Sequence, residues 1–260
     1  KDKSLKKTYS VNKIEDKVIN KLYLQEKMNL PVSKDKFIIG VVSRIVEQKG
    51  FELILSSFDS LLQNEDIQFV LLGSGDEMYI NELRKLEFRY PDQIKLNIGY
   101  DATNPNYIYG GADVFLMPSR FEPCGLGQMI ALKYGTLPIV KNTGGLNDTI
   151  TKYDHLTNKG NGFTFGNYDA NEMKETIKGS YPEFPLDMSQ KASQQVCRDL
   201  ALKGVEEMFE ALQHLKNWKP HRKTEMPEIN REEFLEEIVD AFNYFLSLII
   251  LIGVDVEEFY

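Results

Sequence analysis

The sequence predicts a chain of two parts: an α/β unit with a parallel sheet flanked by helices, followed by an all-α helical hairpin. Three observations lead to this fold class. Apolar, β-branched runs alternate with helix-like stretches in the first part, 15 of the 18 glycines lie at or before Gly166, and apolar residues recur at helical spacing after about residue 180. We therefore divide the chain into residues 1–178 and 179–260, joined near the proline-containing segment SYPEFPLDMS.

The first part contains four strand-like runs separated by helix-like stretches. The runs are FIIGVVS (37–43), FVLLG (69–73), VFLMPS (114–119) and LPIVK (137–141). Stretches such as GFELILSSFDSLLQ and GLGQMIALKYG alternate with them, which is typical of βαβ units whose parallel strands place ligands beyond their carboxyl ends. In the second part, QQVCRDLALKGVEEMFEALQHLKNW and NREEFLEEIVDAFNYFLSLIILIG have the periodicity of helices.

Composition excludes several classes of protein. The chain has 260 residues, 42% of them hydrophobic, so it can bury a core and is not a disordered polymer. Its net charge of −8 disfavours a nucleic-acid-binding role, and its most apolar run, residues 242–254, is too short to span a membrane. Because the two cysteines form no disulfide framework and the charged N-terminal segment is no signal peptide, we expect a cytoplasmic location.

Two cations follow the first predicted strand. Arg44 and Lys49 lie five residues apart, just before a predicted helix, where together with helix amides they could neutralise a diphosphate. The alternative is a pair of solvated surface charges, which that segment alone favours. The sequence therefore marks this loop as a candidate phosphate site without deciding between the two.

Three further junctions between strand and helix carry polar residues or glycine. Glu122 could accept hydrogen bonds from sugar hydroxyls or merely cap the next helix. A Thr-Gly-Gly turn could cradle phosphate or sugar through its backbone amides, and the Gly-Ser-Gly turn after the second strand could be a ligand loop or a turn that needs glycine dihedrals. The candidate substrate-binding residues are Gly73, Gly75, Cys124, Gly125, Leu126, Thr143, Gly144 and Gly145.

Taken in order, these segments resemble the C-terminal half of bacterial glycogen synthase and plant starch synthase, which are retaining glucosyltransferases with two Rossmann-like domains (the GT-B type). The resemblance covers about residues 10–175. It rests on the segments NKLYLQ, SRIVEQKG, LLGSGD, YIYGGADVFLMPSRFEPCGLGQMIALKYGTLPIV, NTGGLNDTI and GNGFTFGNYDANEM. It implies a domain that binds ADP-glucose or UDP-glucose for α-1,4-glucan extension without a metal or other cofactor.

The resemblance also implies roles for single residues. Arg44 and Lys49 match the basic pair that holds the diphosphate leaving group, and Glu122 matches the acidic residue beside the donor glucose. We treat these three as the catalytic set. Residues 143–145 match the loop under the distal phosphate and sugar, and Ile130 stands where the broader family has a second glutamate.

The family's N-terminal domain carries a KxGG loop and the α-glucan acceptor surface, and no segment of residues 1–30 matches it. We therefore expect donor binding from this chain, and transfer to an α-glucan only if that domain is supplied.

The helical part carries four carboxylates with metal-ligand spacing. Glu207 and Glu210 lie three residues apart, as do Glu237 and Asp240, so two packed helices could aim all four at one Mg²⁺ ion. The alternative is an ordinary solvated acidic helix face.

This part resembles the all-α dUTPases and MazG-like nucleotide pyrophosphohydrolases, whose signature is ExxE followed by ExxD. The resemblance implies Mg²⁺ ligation by these four residues, weak hydrolysis of dUTP at best, and a nucleotide contact by Lys216, Trp218 and Lys219. We expect a homodimer through Phe245, Leu248, Ile249 and Ile252. A third hypothesis is a non-catalytic fusion of two gene fragments.

Overall fold

The computed structural model describes residues 2, 4–99, 105–154, 157, 159–180, 188–189, 191–215 and 230–252. The chain divides into two compact units, Lys1–Tyr181 and Pro182–Tyr260. The linker segment and residues 216–229 lie largely or wholly outside the described residues. Within the described part, no helix has both the length and the apolarity needed to cross a membrane.

Unit 1 is built on a six-stranded parallel sheet, as the sequence predicts for the first part of the chain. The strands are β1 Phe37–Val42, β2 Ile67–Gly73, β3 Ile94–Ile98, β4 Val114–Met117, β5 Leu137–Lys141 and β6 Phe163–Phe165. Their order in the sheet is β3-β2-β1-β4-β5-β6. Consecutive strands run outward from β1 in one direction and from β4 in the other, so the connections after these two central strands diverge.

Helices alternate with the strands along the chain. Those of unit 1 are α1 Lys17–Lys27, α2 Phe51–Asn64, α3 Glu77–Arg89, α4 Asn106–Gly111, α5 Gly127–Lys133, α6 Gly144–Thr149 and α7 Ala170–Lys178. The buried faces of α2 and α3 pack with the sheet in one core through Phe51, Phe58, Phe69 and Leu83. Because β1 and β2 are covered on both faces, their residues are almost continuously apolar and buried.

Two strands, β3 and β6, are not among those predicted from the sequence. β3 has the sequence IKLNI and lies at one edge of the sheet, where Lys95 and Asn97 interrupt the apolar run. β6 has only three residues and forms the other edge. Edge strands need not be apolar on both faces, so the criterion that finds the central strands misses them.

The described residues of unit 2 contain two long helices, α8 Lys191–His214 and α9 Arg231–Leu251. They run antiparallel, because His214 at the end of α8 lies 3.9 Å from Glu233 near the start of α9, while Gly204 lies against the ring of Phe245. Ala211 and Ala241 are fully buried. Small residues on both helices therefore allow close packing between them.

Candidate functional site

A cavity of about 300 Å³ opens at the carboxyl ends of β1 and β4, where the strand order reverses. Diverging connections leave a crevice at such a point, and open α/β sheets bind ligands there. Its polar wall comes from the loops after the two strands. The polar and charged side chains around it are Ser43, Arg44, Lys49, Tyr109, Ser119 and Glu122.

The loop after β1 presents Lys49 at the end of a short 3-10 turn, Glu47–Lys49. Gly50 follows with φ +79, a left-handed conformation that glycine adopts without strain, and α2 begins at the next residue. A Cβ on Gly50 would also collide with the carbonyl oxygen of Pro118. The glycine therefore both ends the turn and lets this loop approach the loop after β4.

Lys49 forms an ion pair across the cavity with Glu122. Its Nζ contacts Oε2 of Glu122, and Ser119 Oγ lies 3.2 Å from the same oxygen. The two charged side chains are only 17% and 12% exposed. Glu122 does not cap the next helix: α5 follows Leu126, and no side-chain capping bond is present there. The alternative interpretation of Glu122 as a cap is therefore wrong.

Arg44 is exposed on the β1 side of the cavity and forms no ion pair with any described residue. Its guanidinium is thus available to an anionic ligand, whereas the ammonium of Lys49 is already neutralised by Glu122. The structure brings the three residues of the expected catalytic set into one cavity.

A set of contacts that the sequence patterns do not predict joins the loops around the site. Gln48 Nε2 donates to the Phe121 carbonyl oxygen at 2.9 Å, and the Arg120 amide donates to the Gln48 carbonyl oxygen at 2.9 Å. The Arg120 guanidinium pairs with Glu52 at 2.9 Å and lies over the Tyr168 ring. These contacts hold in place the two loops that carry Lys49 and Glu122. The available signal was that Gln48 and Arg120 lie within two residues of Lys49 and Glu122 in the sequence.

Tyr168 completes this set from the loop before α7. Its hydroxyl donates to Oε1 of Glu52 at 2.6 Å, and burial is the main cause that raises its pKa. The second oxygen of Glu52 is buried and has no partner among the described residues. Glu52 therefore serves as the common acceptor that holds the loops after β4 and β6 to the start of α2.

The Thr-Gly-Gly turn lies beneath the Glu122 loop instead of lining the cavity. Gly145 donates its amide to the carbonyl oxygens of Glu122 and Pro123, at 3.0 and 3.1 Å. A Cβ on Gly144 would collide with the Glu122 carbonyl oxygen, and one on Gly145 with that of Cys124. The Gly145 amide thus already has protein acceptors, and ligand binding by residues 143–145 stays a prediction. The Thr143 hydroxyl lies 3.4 Å from the Arg120 carbonyl oxygen.

Gly73 and Gly75 likewise permit close backbone packing. A Cβ on Gly73 would collide with the Ser43 carbonyl oxygen, and one on Gly75 with that of Ile45. Neither glycine has a left-handed φ, so the alternative that dihedral angles require glycine here is also wrong. Both residues pack against the loop after β1 and affect the site through the positions of Ser43 to Ile45.

The Cys124–Leu126 segment is shared between the cavity and the protein interior. Leu126 lines the cavity and is exposed, whereas Gly125 has φ +68 and packs against Gln128. Cys124 is an exposed free thiol. Gln128 is fully buried and its Nε2 donates to the Gly125 carbonyl oxygen at 3.0 Å. The amide of Gln128 thus holds the turn that leads into α5.

The remaining cavity wall is apolar and aromatic. Tyr109 packs against the rings of Phe115 and Tyr134 and also lines the cavity, and burial raises its pKa to about 12. Ile130, at the position of the broader family's second glutamate, lines it as well. A neutral phenol and an aliphatic side chain suit the uncharged part of a ligand.

In unit 2, three of the four carboxylates predicted to bind a metal come together. Oxygen atoms of Glu207, Glu210 and Glu237 lie within 4.8 Å of one another, and Asp240 is outside this cluster. Burial, a hydrogen bond with Glu237 and the neighbouring carboxylates raise the pKa of Glu207. Lys216, Trp218 and Lys219 lie outside the described residues. The arrangement offers three oxygen ligands of the kind that Mg²⁺ prefers.

Comparison with known proteins agrees with the fold of unit 1. The sequence profile of the family described as "Glycosyl transferases group 1" matches residues 24–195. The cavity of unit 1 lies at the strand-order reversal, where open α/β sheets bind their ligands. The chain belongs to this family of glycosyltransferases.

The curated relatives are glycogen synthases. The chain is 49% identical over 184 residues to that of Alkaliphilus metalliredigens (strain QYMF), a match covering 71% of this chain and 38% of that protein. It is 51% identical over 170 residues to that of Clostridium novyi (strain NT), covering 65% and 35%. The chain thus matches well under half the length of these relatives.

A solved structure of a starch synthase is also similar to the chain. The catalytic domain of starch synthase IV from Arabidopsis thaliana, bound to ADP and acarbose, superposes with a TM-score of 0.64 and 34% sequence identity. The match covers 69% of this chain and 38% of that chain. It supports the resemblance stated from the sequence to glycogen and starch synthases, and it concerns the α/β part.

Proposed function

We propose that unit 1 is the donor-binding domain of a glycogen or starch synthase-like glucosyltransferase and that it binds ADP-glucose or UDP-glucose for α-1,4-glucan extension. The observation that carries this proposal is the meeting of Arg44, Lys49 and Glu122 in one cavity at the strand-order reversal. The similar starch synthase structure contains ADP, which supports a nucleoside diphosphate as the ligand class.

The charges of the cavity suit a sugar nucleotide. A diphosphate carries negative charge that increases as the glycosidic C–O bond breaks, and Arg44 and Lys49 would stabilise that charge. Glu122 would accept hydrogen bonds from the sugar hydroxyls. The apolar wall with Tyr109 and Ile130 would receive the uncharged nucleoside. Two protein cations can supply this stabilisation, so our proposal includes no metal for this step.

The test is calorimetry of the full chain with ADP, UDP and the two sugar nucleotides in the presence of a metal chelator. Binding of at least one nucleotide under these conditions is the expected result. If neither ADP nor UDP binds with or without a divalent ion, the donor-domain proposal is wrong.

Replacing Glu122 by Gln should strengthen ADP binding. Lys49 is paired with Glu122, so a diphosphate must compete with that carboxylate and is repelled by it. Removing the charge should favour ADP by about 1 kcal/mol, roughly fivefold in affinity. The affinity for ADP-glucose should rise less than that for ADP, because its sugar loses a charged hydrogen-bond acceptor. Calorimetry with both ligands measures the two effects.

The exposed Glu82→Gln change on α3 is a matched control for charge. It should leave both affinities unchanged. Weaker ADP binding by Glu122→Gln than by the wild-type chain would show that the carboxylate supports the nucleotide instead of competing with it.

A second candidate function concerns unit 2, where we propose that the carboxylate cluster binds Mg²⁺. Crowding of Glu207, Glu210 and Glu237 supports it, because a divalent cation would relieve the repulsion among them. Burial first, and then the neighbouring carboxylates, raise the pKa of Glu207, and a bound cation would offset both effects. Glu207, Glu210 and Glu237 would hold the ion, which would supply charge neutralisation and water activation for hydrolysis of a nucleoside triphosphate such as dUTP. Asp240 lies beside the cluster and adds negative charge to its surroundings.

Mg²⁺ should raise the melting temperature of unit 2 more than NaCl at equal ionic strength. An ion held by native carboxylates stabilises the folded state by mass action, whereas screening by monovalent salt acts weakly at contact distance. The Glu207→Gln and Glu237→Gln variants should lose this Mg²⁺-specific shift, and Asp240→Asn should largely keep it. Differential scanning calorimetry of the full chain measures it.

Acidification provides an independent check on the same cluster. The pKa of Glu207 is raised in the folded state, so protonation of this carboxyl favours folding. Its contribution to the free energy of unfolding is complete below the ordinary carboxyl pKa and is lost as the pH rises through the raised pKa. Mild acid should therefore stabilise wild-type unit 2 relative to Glu207→Gln.

For the Mg²⁺ experiment, the contradicting outcome is that both Gln variants retain the full shift of the melting temperature. The carboxylates would then be an ordinary solvated helix face.

A further inference from the structure

Tyr109 is a buried tyrosine that lines the cavity of unit 1. The residue is only 6% exposed, and its hydroxyl has no hydrogen-bond partner among the described residues. A buried tyrosine hydroxyl usually has a partner, because burial removes its hydrogen bonds to water. A ligand in the cavity could provide that partner.

Two other tyrosines of the same region are hydrogen-bonded within the protein. The ring of Tyr134 stacks on that of Tyr109 at a centroid distance of 6.2 Å, and its hydroxyl donates to the carboxylate of Asp2. The hydroxyl of Tyr9 donates to the carbonyl oxygen of Tyr134 at 2.7 Å. Of these three tyrosines, the one that lines the cavity is therefore the one whose hydroxyl is unpaired within the described part of the chain.

The position of the Tyr109 side chain is fixed from several directions. Besides the stacking on Tyr134, its ring packs against Phe115 at a centroid distance of 4.8 Å. The hydroxyl of the fully buried Thr136 donates to the backbone carbonyl oxygens of Tyr109 and Ala112, which holds the end of α4. Because the phenol is already ordered, a hydrogen bond to a ligand costs it little conformational entropy.

The surroundings of Tyr109 suit an uncharged group better than a phosphate. Val42 and Met117 pack against the apolar cluster that contains Tyr109, and both also line the cavity. Burial raises the pKa of Tyr109 to about 12, so the phenol is a neutral hydrogen-bond donor at neutral pH. A single polar group within an apolar wall is typical of the positions that orient a small ligand.

We propose that the Tyr109 hydroxyl donates a hydrogen bond to the nucleoside of the bound nucleotide and is a specificity-determining residue of the site. The bond requires the proposed donor-binding function, in which Arg44 and Lys49 bind the diphosphate. The nucleoside then contacts the remaining wall, to which Tyr109 belongs. Bases carry nitrogen and oxygen acceptors, and ribose carries hydroxyl groups, so both ADP and UDP can accept the bond. Inorganic pyrophosphate, which has no nucleoside, cannot.

Tyr109→Phe tests the proposal because it removes the hydroxyl and keeps the ring. Titration calorimetry of the full chain should show an affinity about five- to tenfold lower for whichever of ADP and UDP the wild-type chain binds, which corresponds to the loss of one hydrogen bond. Pyrophosphate, measured as a competitor of the nucleotide, should bind both chains equally. The melting temperature without ligand should be unchanged or slightly higher, because the folded chain loses no hydrogen bond.

The matched control is Tyr79→Phe, because an unpaired phenol alone does not define a ligand site. Tyr79 lies on α3, is 7% exposed, and its hydroxyl likewise has no hydrogen-bond partner within the described ranges. It packs against the ring of Phe51 and is not one of the residues that line the cavity. The control variant should therefore bind ADP, UDP and pyrophosphate like the wild-type chain.

The outcomes separate this proposal from the donor-binding function on which it depends. If the wild-type chain binds neither ADP nor UDP, the donor-binding function is wrong and the role of Tyr109 fails with it. If the wild-type chain binds a nucleotide and Tyr109→Phe binds it equally well, only the role of Tyr109 is wrong. Equal losses of nucleotide and pyrophosphate affinity would also overturn that role, as would an equal loss in Tyr79→Phe.

Discussion

The double variant Arg44→Gln/Lys49→Gln should lose binding of ADP and UDP almost completely. Arg44 is exposed and has no ion-pair partner among the described residues, and Lys49 faces the same cavity from the turn before α2. Each charge-assisted hydrogen bond to a phosphate contributes about 1.5–3 kcal/mol, so loss of both should reduce affinity on the order of 100-fold or more. Calorimetry under conditions in which the wild-type chain binds provides the measurement.

A matched double variant separates local contacts from the overall charge of the protein. Arg84→Gln/Lys85→Gln removes the same two charges from the exposed surface of α3, where both side chains form ion pairs with neighbouring glutamates. It should bind ADP within about twofold of the wild-type chain, since surface charges at a distance are screened. Equal losses in the two double variants would show that the cavity cations make no direct contact with phosphate.

The single variants should differ because, of the two cations, only Lys49 has an ion-pair partner among the described residues. Arg44→Gln removes a cation that has no ion pair to break before it meets a phosphate. Lys49→Gln removes one that must first leave Glu122. We therefore expect the larger loss of ADP affinity from Arg44→Gln. Combining Lys49→Gln with Glu122→Gln should recover part of the loss, because the uncompensated carboxylate is removed as well.

The sequence predicts the two loops of the site but cannot show that they are neighbours. Lys49 and Glu122 are 73 residues apart and meet because β1 lies beside β4 in the sheet. Local patterns identify strands and the residues that follow them, whereas strand order depends on how the helices pack over the whole sheet. The contacts of Gln48, Arg120 and Tyr168 depend on the same order and could not be found from spacing.

The helical part shows a related limit. Spacing of three residues correctly predicts that Glu207 and Glu210 share a side of α8, because that relation lies within one helix. The choice of dimer face on α9 is different, since apolar residues occur around most of that helix after Phe242. Which of them packs on α8 is decided by the small residue at Gly204, which admits the ring of Phe245. A pattern read along α9 alone does not contain this information.

Glycine roles were the least predictable feature of the site. The sequence suggests glycines that contact a ligand, yet Gly73, Gly75 and Gly145 each face a backbone carbonyl of another loop. Such a requirement depends on the distance between two chain segments and leaves no local mark in the sequence. Substitution at these positions is therefore expected to disturb loop packing, while their contact with a ligand stays a prediction.

Gly145→Ala should destabilise unit 1 strongly and separate Glu122 from Lys49. The new Cβ would lie 2.6 Å from the carbonyl carbon and 2.7 Å from the Cα of Cys124, and both are backbone atoms that cannot rotate away. Because φ of Gly145 is not left-handed, this clash and not dihedral strain is the cause. Overpacking of this kind costs about 1–3 kcal/mol, which corresponds to a melting temperature lower by roughly 3–10 °C.

The control for this prediction is Gly166→Ala, where a Cβ would meet only Glu172 Oε1, at 3.6 Å, and φ is again not left-handed. There the alanine should be neutral or stabilise by up to about 1 kcal/mol, since it restricts the unfolded chain.

In Gly145→Ala the loop must also give up its hydrogen bonds from the Gly145 amide to the carbonyl oxygens of Glu122 and Pro123. The difference in affinity between ADP-glucose and ADP should then become smaller, because Glu122 is displaced while Arg44 remains. Equal melting temperatures for the two variants would mean that the loop moves aside without cost and that the glycine pair has another role.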